Sequence, residues 1–340
     1  MIALAASAAA SKTKPEPLPG PPELLLPGGR SLVYERMFSS EHEVKPKRGF
    51  LNRLVDLVAG APEYRNLVRP YSVAVDSRGR VIVTDPGIPG VHIFDFTRQK
   101  YKLIEREGKE AFLAPQCVAV DADDNFYVTD SEAGKIFVFD AESKFRRTIG
   151  SLKGGEGYFK RPTGIAVDSK EARIFVSDTL RHKIFVLDRE GNILKTIGQN
   201  GAGNGEFNFP TELRWTGDEL LVVDAMNFRI QGFDANGTFR FAIGNPGENS
   251  TSMFRPKGIG LDSEQNVYVV DALWSMVQIF NREGQLLYYF GQGGDAPGEF
   301  NLPSGLFIDR GNAIYVVDSF NRRVEVFRYH PAANSAGGSQ

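Results

Sequence analysis

The chain has a single cysteine, Cys117, in 340 residues. No intramolecular disulfide is possible, and neither a zinc ribbon nor a RING can be built on one thiol. Histidine is almost as scarce: His42, His92, His182 and His330 stand in unrelated contexts, without metal-ligand spacing. No Gly-x-Ser-x-Gly and no His-Glu-x-x-His occurs. Neither sign of charge dominates, with Lys+Arg 40 against Asp+Glu 42 and a net charge of −2. A surface given over to nucleic acid is usually far more basic. The apolar run Met1 to Ala10 is too short to span a membrane. What is plentiful is glycine (36) and phenylalanine (25), which suits many turns around a β-rich core.

One phrase recurs, cleanest from Pro256 to Phe280: a strand, a polar turn, a second strand ending in Asp, a short loop and a third strand. A fourth strand follows, ending at Gly291. Anchored on Pro70, Pro115, Pro162, Pro210, Pro256 and Pro303, the steps are 45, 47, 48, 46 and 47 residues. The aspartate closing the second strand recurs in register as Asp85, Asp130, Asp178, Asp224, Asp271 and Asp318. A period near 45 residues with four short strands per unit predicts a β-propeller, here with six blades. The fold class is therefore all-β, with four-stranded blades.

The wording of the repeat resembles the NHL family. The likeness lies in the Pro-x-Gly-Ile-Ala-Val-Asp-like strand, the Tyr-Val-x-Asp strand and the third-strand openings Asn227-Phe228-Arg229-Ile230 and Asn321-Arg322-Arg323-Val324, with Arg181-His182-Lys183-Ile184 as a looser copy. It covers roughly residues 29–329 and implies a six-bladed propeller of a bacterial type. It implies no single function, because propellers host many. Animal relatives in that family use one loop face for protein or RNA partners. Some six-bladed propellers are metal-dependent lactonases, and an NHL-type propeller forms the lyase half of a peptide-amidating enzyme.

The start of the chain carries other signals. Residues 1–28 read as an alanine-rich leader remnant followed by a proline-rich tether, which points to export, to the periplasm or envelope; a cytoplasmic place stays open. Residues 31–38 read as a strand. The last repeat runs out after its third strand, so blade six lacks an outer strand, and residues 29–47 are expected to supply it and close the ring. Phe50, Leu51, Leu54, Val55 and Val58 recur at helical spacing, predicting a short amphipathic helix over 48–60. The propeller proper spans 61–330, and 331–340 reads as a disordered tail.

Several features imitate function. The glycine-rich loops from Gly198 and Gly291 contain G-x-G patterns, yet they open strands and not helices, so turns explain them better than phosphate binding. An aromatic ahead of the repeat proline (Phe112, Phe159, Phe207, Phe254, Phe300) reads as a plug between blades. The six closing aspartates are spread round a ring and cannot converge on one ion; turn capping fits them, with pairing such as Asp224 to Arg229.

Departures from the repeat say more. Two and four residues after the proline, the side chains are small or apolar in five blades, as crowding near the axis requires, and Cys117 reads as one of them. Blade four carries Glu212 and Arg214 there instead, on one face of a strand. They read either as a mutual salt bridge in a wet channel or as a polar anchor for a ligand entering it. The loops after the closing aspartates carry Leu180, Met226 with Phe228, Leu273 with Trp274, and Phe320. These form either an apolar binding rim or a set of side chains tucked between blades. Arg69, Arg161 and Arg255 precede the proline in alternate blades, with Lys257 nearby, giving that rim a positive cast.

The reading favoured by these residues is a non-enzymatic binding propeller, monomeric, without cofactor or metal, that presents one loop face to a partner protein or peptide. A metal-dependent lactonase- or peptide-lyase-like enzyme with a site at the channel stands second, and RNA binding third.

Overall fold

The structure is a computed structural model and describes residues 23–44, 64–152, 157–244 and 252–332. Six antiparallel sheets stand round a central axis. Blade one has the strands Ser72–Val75, Val81–Asp85, Gly90–Asp95 and Lys100–Ile104, running from the axis outwards. Blades two to five repeat that order, with inner strands Pro115–Val120, Pro162–Asp168, Pro210–Trp215 and Pro256–Leu261. The second strands are buried on both faces because each blade packs between two others, so they read as unbroken Val, Ile and Tyr runs such as Val267–Asp271. The leader at 1–22, the helix expected over 48–60 and all but two residues of the tail 331–340 lie outside the described residues.

Blade six is closed from the other end of the chain. Arg30–Phe38 pairs antiparallel with Arg323–His330, from Ser31 opposite His330 to Phe38 opposite Val324. It buries Leu32, Tyr34 and Phe38. Arg30 then reaches blade five, its Nε donating to Glu264 at 2.9 Å. The tether expected through residue 28 stops sooner. Glu23–Leu26 adds a fifth strand outside Arg30–Phe38, turning through Gly28 and Gly29 at φ 78° and 76°. The reason is composition: an open edge lies beside it, and Leu26 gains burial with Leu32 and Tyr34.

Between blades the plugs are largely those expected. Phe112, Phe159, Phe207 and Phe300 are buried. Phe254 is not; it stands one residue nearer the proline than its counterparts and is exposed, while Met253 takes the plug position. Leu67 does the same in blade one. Hydroxyls stitch neighbouring blades near the axis. Thr129 donates to the Thr163 carbonyl (2.5 Å), Ser177 to that of Thr211 (2.5 Å) and Ser304 to that of Tyr71 (2.7 Å). This closeness explains the inner glycines: a Cβ on Gly164 would lie 2.0 Å from the Thr211 oxygen.

His92 is a core histidine and not a ligand. It is fully buried in blade one, with Nδ1 2.8 Å from the Tyr101 hydroxyl and Nε2 3.7 Å from Asp85. Burial outweighs the attraction of Asp85 and pushes the imidazole down to about 4.

Two predictions follow from this packing. Removing residues 23–38 strips four large apolar side chains from blade six, worth roughly 6–12 kcal/mol, and should lower the melting temperature by more than about 10 °C. Circular dichroism melts would show it; an unchanged midpoint would mean the ring does not depend on this strand. The second concerns His92. Below pH about 6.5 the unfolded chain protonates this histidine, whereas the folded chain resists until about pH 4. Stability is thus whole above that window and falls across it as pH drops, by of order 3 kcal/mol. His92→Gln should flatten this part of a plot of urea midpoint against pH, and an unaltered slope would refute the assignment.

Candidate functional site

Each blade begins its inner strand and ends its second strand at the same end of the ring, here called the proline face. The turns between those two strands mark the other end, the turn face. The proline face is shaped by the six closing aspartates, all fully buried. Each carboxylate clamps the loop that precedes its own repeat proline. Asp271 accepts from the amides of Phe254 (2.7 Å) and Arg255 (3.1 Å), and also from those of Leu273 (3.1 Å) and Trp274 (3.4 Å). Asp130 does the same with Leu113, Ala114, Glu132 and Ala133. The loop before the inner strand and the loop after the second strand are thereby fixed side by side.

Blades four and six use a variant of the clamp. Phe209 and Leu302, just before the proline, adopt φ 56° and 47°, and each carboxylate loses its second preceding amide. Side chains replace it. Asp224 takes Asn208 N–H, Asn227 Nδ2 and Arg229 Nε at 2.7, 2.8 and 2.9 Å. Asp318 takes Asn301 N–H, Asn321 Nδ2 and Arg323 Nε at 2.7, 2.7 and 2.8 Å. The same Asn and Arg also donate to carbonyls of the glycine-rich loops, Gly201 and Gly203 in one and Gly294 and Ala296 in the other. Amides within those loops turn to Glu206 and Glu299. The loops are filled by the protein's own groups, and the Asn-x-Arg signature is their scaffold.

Four of the six candidate rim residues stand out from this frame: Met226, Leu273, Trp274 and Phe320 are 52, 60, 53 and 58% exposed. Leu180 and Phe228 are half-buried, so tucking between blades describes those two. Sequence reading missed Phe209 and Phe254, which are exposed beside them. Phe254 meets Trp274 edge to face at 5.4 Å, and Phe209 meets His182 at 4.7 Å. The Phe209 amide donates to His182 Nδ1 at 3.2 Å. The signal was present as an aromatic next to the proline, but its role in the repeat hid it. Exposed apolar groups thus form a crescent over blades four to six.

Inside the crescent, basic groups gather at the channel mouth. Arg69, Arg161 and Arg255 are exposed, one each on blades one, three and five, and none forms an ion pair among the described residues. Lys257 lies half-buried with its ammonium 5.3 Å from the centre of the Tyr71 ring, which belongs to blade one. Burial, with the like charges of Arg255 and Arg69, pushes that ammonium down to about 8. Tyr71 and Cys117 beneath it are pushed up, chiefly by burial.

Glu212 and Arg214 are near the axis, as expected, but they do not form an ion pair with each other. The Cys117 thiol donates to Glu212 at 3.0 Å, and burial raises the Glu212 carboxyl above its ordinary range. Arg214 instead spans towards blades five and six, donating from Nε and Nη2 to the Ile259 carbonyl (3.2 and 3.0 Å) and from Nη2 to the Leu306 carbonyl (2.8 Å). One residue, Leu213, separates them along the strand, and this divides them: Glu212 faces the proline-face half of the channel, Arg214 the turn-face half. Among the described residues no group of three or more His, Cys, Asp or Glu is placed to hold a metal ion, and no helix is long and apolar enough to cross a membrane.

A family model described as a 6-bladed beta-propeller matches residues 104–178 and 261–330. No curated protein matches the chain. Among solved structures it is similar to virginiamycin B lyase from Staphylococcus aureus, at 14% identity and TM-score 0.56 over 77% of this chain and 95% of that one. It is similar also to an auxiliary nutrient binding protein from Bacteroides thetaiotaomicron, at 13% identity and TM-score 0.60, covering 78% and 70%. A nidogen/laminin complex gives 16% identity and TM-score 0.53, covering 79% and 92%. Identities this low speak for architecture alone. Together with the six sheets around one axis, they make this chain a six-bladed β-propeller.

Proposed function

We propose that the protein is a binding propeller whose proline face docks a polypeptide bearing both apolar and acidic side chains. The observation that carries this is one surface: the exposed crescent of Met226, Leu273, Trp274 and Phe320 borders a mouth where Arg69, Arg161, Arg255 and Lys257 have no acidic partner among the described residues. Large apolar side chains set on clamped loops give contact area with little ordering cost, the pattern of binding hot spots. Unpaired cations next to them favour an acidic partner and steer its approach. The alanine-rich first ten residues and the prolines that follow support an exported protein that meets its partner in the cell envelope. The NHL resemblance is compatible with this use of the face. A catalytic reading has less behind it, because Glu212 is occupied by Cys117 and stands without neighbouring ligands.

The test compares a fluorescent peptide alternating glutamate with leucine against an oligouridylate by anisotropy, beside a pull-down from the host envelope. The peptide should bind, and more weakly at high salt. Loss of two charge contacts in an Arg255→Ala, Lys257→Ala variant should weaken it roughly tenfold. Leu273→Asp with Phe320→Asp should abolish capture while circular dichroism stays unchanged. Oligouridylate binding tighter than the peptide, or capture indifferent to both variants, would overturn the reading.

A pH dependence follows as well. The charged groups facing Lys257 are Arg255 and Arg69, with Tyr71 and Cys117 staying neutral in this range. Its ammonium discharges as pH rises through about 8, so peptide affinity should drop between pH 7 and 9. Lys257→Arg should remove that step from the affinity profile.

A further inference from the structure

At the turn face a cavity of about 460 Å³ opens around the axis, continuous with a second of about 680 Å³ through the shared residues Trp215, Phe307 and Arg310. Its inner wall is made by small residues, Ala74, Ala119, Ala166 and Gly260, each from a different blade. Blade six instead sends Phe307 into the lining, and blade four sends Arg214 and Trp215. Arg214 holds its guanidinium carbon 5.0 Å from the centre of the Phe307 ring, which stiffens the group as a flat platform. Two of its nitrogens are tied to carbonyls of Ile259 and Leu306, and Nη1 has no partner among the described residues. Trp215 is held in turn by Phe175, its ring stacked at 5.2 Å with an interplanar angle of 22°.

No carboxylate among the described residues is within ion-pair distance of the guanidinium, and Glu212, on the same strand face, acts on it only through space. Glu212 is engaged by Cys117. The two nearest acidic residues of the lining are also occupied: Asp262 accepts from Asn266 and Tyr268, and Asp309 from the amides of Gly311 and Ala313. A charge taken out of bulk water with carbonyl partners only is costly unless an anion reaches it. Arginine suits a carboxylate, whose two oxygens match its planar donors. Aromatic lining from Trp215 and Phe307 suits a flat apolar body.

We infer that this cavity is a binding site for a small planar carboxylate, its charge received by Nη1 of Arg214 and its body held between Trp215 and Phe307. The site lies on the face opposite the docking crescent and does not depend on it.

The chain has two tryptophans, so in a Trp274→Phe variant Trp215 is the sole indole reporter. Benzoate titrated into the full-length variant should change Trp215 emission saturably. Benzamide, of the same shape without the charge, should bind at least tenfold more weakly. Adding Arg214→Gln should cut benzoate affinity tenfold or more and bring the two ligands level, whereas Leu273→Asp should leave benzoate unaffected. Equal binding of benzoate and benzamide, or no response to benzoate at any soluble concentration, overturns the inference. Should Arg214→Gln fail to fold, the benzoate–benzamide comparison with Arg214 in place decides alone.

Discussion

The structure depends on one contact made six times: a buried aspartate at the end of a second strand accepting amides from the loop that leads into the inner strand. A carboxylate satisfied by several N–H groups needs no cation to stay charged in the interior. That is why blades one, two and five dispense with one, while Arg181 stands 3.5 Å from Asp178 in blade three. Where the backbone turns the wrong way, at Phe209 and Leu302, asparagine and arginine restore the lost donors. The clamp ties the loops on either side of each aspartate into a fixed rim, and the exposed aromatics inherit their positions from it.

The axis shows the complementary constraint. Neighbouring inner strands approach so closely that glycine is required at Gly164 and Gly258. Any larger side chain must find space along the channel and not between blades. Blade four breaks the rule twice, and its two charges settle in different halves of the channel. One meets a thiol, the other reaches carbonyls of two further blades. The ring therefore has two unlike ends: a basic mouth framed by apolar groups, and a cavity with a guanidinium at its inner wall.

The blades were legible in the sequence because a propeller writes its geometry into spacing: proline, aspartate and alternation recur in step. The closing role of Arg30–Phe38 was legible for the same reason, since a repeat short of a strand must borrow one. Glu23–Leu26 was hidden by the prolines before it, though its own residues are apolar. Met253 was hidden by Phe254, a stronger aromatic signal one position away. The partners of Glu212 and Arg214 were out of reach, because they come from blades separated by about 50 to 100 residues and meet only across the ring. The turn-face cavity was invisible likewise, because its lining comes from all six blades and meets only at the axis.

The strand Arg30–Phe38 joins Arg323–His330 across almost the whole chain. A ribosome adding roughly 5–20 residues per second takes on the order of 15–60 s to cover that distance. Throughout, Leu32 and Tyr34 wait without their partners, and blade one presents an unmatched side to solvent. Completion of this ring thus waits until Arg323–His330 has been made. The exposed first strand is a natural target for a chaperone that holds it until the last blade arrives.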